Sequence, residues 1–164
     1  MLLVRDATLE DAPRLAPRLR PADLREVSAV TRLPVVDVLR SGIAASVPCH
    51  AVMKVGDDCP LAIFGVVPDK APGSGAVWLL GRDEIVSEPL FFLRASRGWV
   101  ERLQGRYATL RVVIDARNDV HLAWLRWCGF SLRRTLPRHG VAGLPFHEFV
   151  RARDVRRALG ADVQ

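Results

Sequence analysis

The stretch between residues 76 and 114 constrains the fold more than any other part of the chain. Residues 76–80 are almost entirely apolar, a long helical pattern begins after Pro89, and residues 109–114 form a β-branched, apolar run. Two strands connected by a helix need a right-handed crossover and pair in parallel. The sequence therefore predicts one parallel strand pair near the middle of the sheet.

The segments on either side predict antiparallel neighbours for that pair. Residues 51–55 and 61–67 are strand-like and are separated by the turn residues 56–58, and a Pro-Gly-Ser-Gly turn at 72–75 leads into the strand at 76–80. Residues 131–136 and 146–150 are two further strands, joined by a predicted loop at 137–145. A mostly antiparallel, mixed sheet follows.

The first third of the chain predicts one strand followed by three helices. Residues 2–5 are a short strand, and Thr8 is the expected cap of a helix that reaches about Leu19. Pro21 and Pro34 each open a further helix. The element order β, α, α, α, β, β, β, α, β, α, β, β predicts an α/β fold, with one domain over residues 1–152 and a short basic tail over 153–164.

Composition narrows the classes of function. No apolar run approaches the length of about 18 residues that spans a bilayer, and the N-terminus lacks the basic and apolar regions of a secretory signal. We therefore expect a cytoplasmic protein without a membrane partner. The three cysteines show no Cys-x-x-Cys spacing and the four histidines show no metal-ligand spacing, so neither a disulfide framework nor a metal site is predicted.

The net charge of +6 does not by itself indicate a nucleic-acid partner. The basic residues are nearly all arginine and are scattered among acids along the chain, whereas nucleic-acid binding favours a concentrated basic stripe. The exception is a C-terminal cluster, Arg151, Arg153, Arg156 and Arg157, which we interpret as a solvated helical tail. A small basic regulator that binds nucleic acid through this cluster remains an alternative.

Residues 117–130 predict a helix with both ends specified. Asn118 is the expected cap and Asp119 complements the positive end of the helix dipole. Gly129 permits the left-handed residue that ends a helix, and Phe130 is expected to fold back onto the last turn. This helix is predicted between the last buried strand and the final hairpin.

The element order resembles that of the GCN5-related N-acetyltransferase (GNAT) superfamily over nearly the whole chain. Four separated motifs, at residues 21–26, 77–81, 115–118 and 124–130, are more narrowly similar to a GNAT-like group encoded by tailed phages and prophages, some of which are labelled internal virion proteins. The resemblance implies a central, mostly antiparallel mixed sheet with a splayed parallel pair and helices on both faces. It also implies an acyl-CoA site at the splayed pair.

The resemblance assigns roles to residues around that site. Asn118 matches the position beside the pantetheine arm of acetyl-CoA, and the end of the central strand, Leu80 and Gly81, matches the strand whose backbone amide polarises the thioester. Glu84 or Asp83 matches the place where such enzymes often hold a general base. His147 and Glu148 on a late strand are the substitutes.

Two positions depart from the family pattern. Leu125 stands where many GNAT enzymes carry a tyrosine that protonates the departing thiolate, and leucine has no proton to give. The phosphate-binding turn is replaced by residues 81–91, which carry three acids, no closely spaced glycines and a proline. The arginines available to bind phosphate through side chains instead are Arg82, Arg94 and Arg97.

Two functions follow from this mixture. One is an acyl-CoA-dependent N-acetyltransferase that acts on an amine substrate in the host cytoplasm. The other is a non-catalytic phage protein, in or around the virion, that uses the scaffold to contact other phage proteins through Leu90, Phe91 and Phe92. The acceptor and the oligomeric state stay open.

Overall fold

The part of the chain that the structure describes is built on one seven-stranded sheet with the strand order β1-β2-β3-β4-β5-β7-β6. A computed structural model describes residues 1–87 and 89–153, without the side chains of 89–91. The strands are β1 (Leu2–Asp6), β2 (Cys49–Lys54), β3 (Ala62–Pro68), β4 (Ser74–Gly81), β5 (Thr109–Asp115), β6 (Ser131–His139) and β7 (Leu144–Ala152). The helices are α1 (Asp11–Leu15), α2 (Pro21–Val30), α3 (Val35–Ala45), α4 (Glu84–Ser87), α5 (Pro89–Arg106) and α6 (Asp119–Trp127).

The pair β4 and β5 is parallel and every other neighbouring pair is antiparallel. β4 and β5 pair only at their beginnings, where residues 74–76 lie opposite residues 109–111. β4 remains paired with β3 as far as Gly81, and β5 remains paired with β7 as far as Asp115. The two strands therefore diverge into a gap, which confirms the predicted splayed pair and the mixed α/β fold.

Helices cover both faces of the sheet, as predicted. On one face, Leu15 of α1 and Leu39 of α3 pack with Ile63 and Leu80 of the sheet. On the other face, α5 and α6 pack against β5 and β7 in a cluster that includes Leu103, Leu110, Leu125 and Phe149. The gap between β4 and β5 lies between these two layers.

The first helix differs from its prediction. It begins at Asp11. Thr8 was expected to accept a hydrogen bond from the first turn, but instead its backbone amide and hydroxyl donate to the carboxylate of Asp11 at 2.8 and 3.3 Å. The helix ends at Leu15 and continues as a 3-10 turn, Ala16–Arg18, because Pro17 has no amide to donate to an α-helical bond.

The helix α4 and the hairpin of β6 and β7 also differ from the prediction. The short helix α4 was not expected, because a four-residue helix leaves no periodic pattern. β6 and β7 extend into the predicted loop at 137–145 and leave only residues 140–143 as the turn, where Gly140 and Gly143 adopt φ of +66° and +62°. β6 accommodates this length with irregular register against β7.

The helix α6 is confirmed at both ends. The side chain of Asn118 accepts from the amide of His121 at 3.4 Å. Gly129 has a φ of +85°, and the amide of Phe130 bonds back to the carbonyl of Leu125 at 3.0 Å. This end of the sheet is therefore held as the sequence predicts.

Within the described residues, no helix has the length and hydropathy required to cross a membrane. Of the predicted basic tail, only Arg153 is described, and its guanidinium donates to the carbonyl of Gln104 at 2.9 Å. Arg156, Arg157 and the side chains of Leu90 and Phe91 lie outside the described residues.

Candidate functional site

One helix, α2, bridges the ends of the two diverging strands. Asp23 and Glu26 are three residues apart and so project from the same side of α2. Asp23 accepts from the backbone amide of Gly81 at the end of β4, at 2.8 Å, and Glu26 accepts from the amide of Asp115 at the end of β5, at 2.9 Å. Two carboxylates of the protein thus occupy the mouth of the gap.

The Asp23 end of this bridge is a buried ion pair. Arg20 donates to the two carboxylate oxygens of Asp23 at 2.6 and 3.2 Å, and the two side chains are 8% and 0% exposed. The amide of Arg20 also donates to the carbonyl of Gly81 at 2.9 Å. Both polar groups of the Gly81 backbone are therefore satisfied by residues at the start of α2.

The Glu26 end carries a displaced pKa. Burial raises the pKa of Glu26 to about 7, and the negative charges of Asp23 and Asp115 add to that rise. The hydrogen bonds from the Asp115 amide and from the side chain of Asn118, at 3.3 Å, oppose it. Glu26 consequently exchanges its proton near neutral pH.

His121 lies beside Glu26 in a cavity of about 240 Å³ on the α2 side of the gap. Its Nδ1 atom is buried and has no hydrogen-bond partner within the described residues. Burial lowers the pKa of His121 to about 4, so the ring is neutral at physiological pH. The walls of the cavity are mainly apolar and include Val27, Val30, Val38, Trp78, Leu80, Val112, Ile114 and Phe146.

The opposite side of the gap is closed by contacts between α5 and α6. The indole of Trp124 donates to the hydroxyl of Ser96 at 3.0 Å and stacks on Phe92 with a centroid distance of 5.8 Å. The guanidinium of Arg97 lies 3.7 Å from the centre of the Trp127 ring and donates to the Trp127 carbonyl at 3.1 Å. Aromatic side chains thus fasten the two helices together.

The structure brings three of the sequence-predicted residues to the gap. Asn118 stands at its β5 end, where it caps α6 and donates to Glu26. Gly81 stands at the β4 end with its amide bonded to Asp23. Leu80 is buried and lines the cavity of Glu26 and His121. Their proposed contacts with acetyl-CoA remain predictions.

The residues predicted as general bases are not among those that the structure brings to the gap. Asp83 and Glu84 are exposed, and the guanidinium of Arg82 holds the pKa of Glu84 below its usual range at an N–O distance of 2.6 Å. Among the substitutes, His147 contacts the hydroxyl of Thr135 through Nδ1 at 3.0 Å. Glu148 accepts from Arg134 at 2.7 Å.

The predicted phosphate-binding arginines are engaged or exposed. Arg82 lies between Asp57 and Glu84, at 2.8 and 2.6 Å, Arg97 lies on Trp127, and Arg94 is exposed to solvent. Around the turn after β4, Arg82 is already paired with two carboxylates, and the exposed Asp83 follows it directly in the chain. A pyrophosphate bound by Arg82 would have to compete with these carboxylates, so this guanidinium fits that part of acyl-CoA poorly.

Sequence reasoning missed Asp23, Glu26 and His121. A signal was present, since Asp23 and Glu26 share the helix face of Val27 and Val30, and acids on an apolar helix face point into the protein. The hydrogen-bond partners of the two carboxylates could not be predicted from the sequence, because the amides of Gly81 and Asp115 are 58 and 89 residues away in the chain.

The fold was compared with those of known proteins. No family model and no curated protein sequence matches the chain. Among solved structures it is similar to an N-acetyltransferase from Staphylococcus aureus Mu50, at TM-score 0.70, 15% identity and coverage of 93% of this chain and 98% of that one. It is also similar to an aminoglycoside acetyltransferase solved with coenzyme A, at TM-score 0.67, 17% identity and coverage of 99% of both chains.

A third similar structure is a GNAT-family acetyltransferase from Streptococcus pneumoniae, at TM-score 0.65, 15% identity and coverage of 94% of this chain and 100% of that one. At such identities the likeness concerns the fold. The chain therefore has the fold of the GNAT acetyltransferases.

Proposed function

We propose that this chain is a GNAT-fold protein of a phage or prophage that does not transfer acyl groups from acyl-CoA and acts through contacts with other phage proteins. The observation that carries the proposal is the bridge formed by Asp23 and Glu26 across the ends of β4 and β5. The phage origin rests on the sequence motifs that are similar to those of the phage-encoded group.

The bridge opposes acyl transfer electrostatically. A strand-end amide assists acyl transfer when it can donate to the oxyanion that develops on the thioester carbonyl. The amide of Gly81 already donates to the carboxylate of Asp23, so a developing oxyanion at Gly81 would meet a negative charge. Leu125, at the position of the general acid, is completely buried in the core and has no proton to give.

The binding role needs a surface, and the structure changes the expected one. The side chain of Phe92 is half-buried, stacks on Trp124 and lines an apolar cavity between α5 and the sheet, so it does not stand free for a partner protein. The predicted role of Leu90 and Phe91 in contacts with other phage proteins stays a prediction. A contact surface built from these two side chains would lie at the beginning of α5.

Calorimetric titration with acetyl-CoA tests the first half of the proposal. We expect no heat beyond dilution at a few hundred micromolar ligand, with an active GNAT enzyme in parallel as the positive control. Saturable heat would overturn it. For the second half, mass spectrometry of purified particles should find this chain at a stoichiometric copy number, and its absence from particles would overturn that part.

A second candidate, an N-acetyltransferase with an amine substrate, is favoured by one observation. Cavities on opposite faces of the sheet share Val77 and Leu79 as lining residues, so they meet at the gap as the two sites of a transferase must. Glu26, with its pKa of about 7, is then the base that takes the proton of the amine. Thiol release from acetyl-CoA with a panel of amines, lost in Glu26→Gln, would establish this candidate and reject the first.

A further inference from the structure

An apolar cavity of about 140 Å³ lies between α5 and the sheet, on the face opposite Glu26. Its lining comes from four strands and two helices: Leu2, Leu3, Val4, Val52, Phe64, Val77, Leu79, Phe92, Ala95, Ser96, Trp99, Val100, Leu103 and Trp124. We propose that this cavity binds the aliphatic chain of a fatty carboxylate. The inference does not depend on whether the protein transfers acyl groups.

The lining is almost entirely apolar, and the polar groups of Ser96 and Trp124 within it are already bonded to each other. Ser96 is the only lining residue with a hydroxyl, and it donates to the carbonyl of Leu93 at 2.9 Å while it accepts from the indole of Trp124 at 3.0 Å. A water in this cavity would find few of the two to four polar partners that an ordered water needs, so the cavity favours apolar ligands. The buried part of the ligand is therefore hydrocarbon.

The size and the shape of the cavity favour a chain. A cavity of about 150 Å³ admits benzene, so this one accommodates on the order of six carbon atoms. The lining runs from β1 to β4, across three interstrand spacings or about 14 Å, which makes the cavity elongated. An elongated, apolar space of this volume fits an extended alkyl chain better than a ring.

The edge of the sheet supplies a partner for the charged end. β1 is an edge strand, and Leu2, which lines the cavity, also lines a neighbouring polar depression with Lys54. Leu2 and Lys54 are direct cross-strand partners, so their side chains share a face. The depression also contains Asp57 and Glu84, but both are paired with Arg82. A carboxylate head in water beside Lys54 completes the ligand.

Tryptophan fluorescence gives a direct readout, because Trp99 and Trp124 line the cavity. We would titrate the full chain with unbranched carboxylates from butanoate to dodecanoate, below their micellar concentrations. The affinity should rise about fourfold per methylene until roughly six carbons are buried, and then level off. An affinity that does not change with chain length, or no binding at all, would overturn the proposal.

Three variants locate the binding. Ala95→Phe places a ring in the cavity and should abolish binding, and its unfolding transition reports whether the variant folds. Trp127→Phe, which changes an aromatic side chain outside the cavity, should bind as the parent does. Lys54→Gln should weaken all carboxylates by the same factor and leave the increment per methylene unchanged. A folded Ala95→Phe protein that binds like the parent would contradict the assignment.

A final experiment distinguishes a free fatty acid from the acyl chain of a membrane lipid as the ligand. Phosphatidylcholine vesicles should not carry the protein down in sedimentation, because a cavity of about 140 Å³ has room for only one chain of about six carbons. Sedimentation with vesicles, without binding of decanoate, would overturn the free acid as the ligand.

Discussion

The two sides of the gap between β4 and β5 are closed by opposite kinds of chemistry. On the α2 side, carboxylates meet backbone amides, in the contacts of Asp23 with Gly81 and of Glu26 with Asp115. On the α5 and α6 side, aromatic rings close the space, chiefly Trp124 against Phe92. The polar side depends directly on charge and protonation, whereas the aromatic side depends mainly on ring packing, which includes the contact of Trp124 with the ring of His121.

This difference shows which side can respond to conditions. The aromatic contacts contribute through buried area and a few neutral hydrogen bonds, which vary little with pH. The carboxylates contribute only while each remains paired with its donors, and one of them titrates near neutral pH. Substitutions on the two sides should therefore differ in size and in pH dependence.

The largest effect is expected from Asp23→Ala. This change leaves the buried guanidinium of Arg20 without its carboxylate and the amide of Gly81 without its acceptor. Removing one partner of a buried ion pair costs about 3–5 kcal/mol of the free energy of unfolding. Urea denaturation at neutral pH measures it.

The helix α3 offers a matched control for this substitution. Asp37 and Arg40 are also three residues apart on a helix, but their N–O distance is 3.6 Å and both side chains are about half exposed. Asp37→Ala should change the free energy of unfolding by less than about 0.5 kcal/mol. Equal effects of the two substitutions would show that the buried contacts of Asp23 stabilise the fold no more than an exposed ion pair does.

The second effect is a pH dependence that two residues nearly cancel. Glu26 has a pKa raised from 4.5 to about 7, so the native state binds the extra proton and stability falls as pH rises between these values. His121 has a pKa lowered from 6.5 to about 4, so the unfolded state binds the extra proton and stability rises with pH between 4 and 6.5. In the parent protein the two slopes oppose each other.

Single variants should separate the slopes. Glu26→Gln leaves His121, and its stability should rise by up to about 3 kcal/mol from pH 4 to 6.5. His121→Leu leaves Glu26, and its stability should fall by a similar amount from pH 4.5 to 7. The charge of Asp23 acts on both pKa values, and that of Arg20 acts on the pKa of His121. Unfolding curves at several pH values test this, and parallel profiles for the two variants would contradict it.

The sequence predicted the scaffold well because its signals are local. The cap at Asn118, the helix end at Gly129 and the parallel pair around the long helix each follow from neighbouring residues, and the structure contains all of them. Boundaries were less certain where a pattern is short or irregular, as in α4 and in the extended hairpin of β6 and β7.

The candidate site was predicted only in part. Asn118 and Gly81 were identified through resemblance, but the groups that bond to them come from α2 and are distant in sequence. Glu84 was expected to serve as a general base because it follows β4, but its carboxylate forms an ion pair with Arg82. Pairings of this kind depend on the tertiary arrangement, which composition and spacing do not encode.

The smallest effect is expected from Trp124→Phe on the aromatic side. The change removes the indole donor to Ser96 but leaves a ring to stack on Phe92, and Ser96 keeps its bond to the carbonyl of Leu93. The free energy of unfolding should fall by about 1 kcal/mol. The loss should be nearly equal at pH 5 and pH 7, because the phenyl ring keeps the packing against His121, whose ring centre lies 5.3 Å from that of Trp124. Trp127→Phe is the control, since Trp127 is 45% exposed and its bond to Leu93 is long at 3.4 Å. A pH-dependent loss in Trp124→Phe would mean that the two sides of the gap are coupled through the contact between Trp124 and His121.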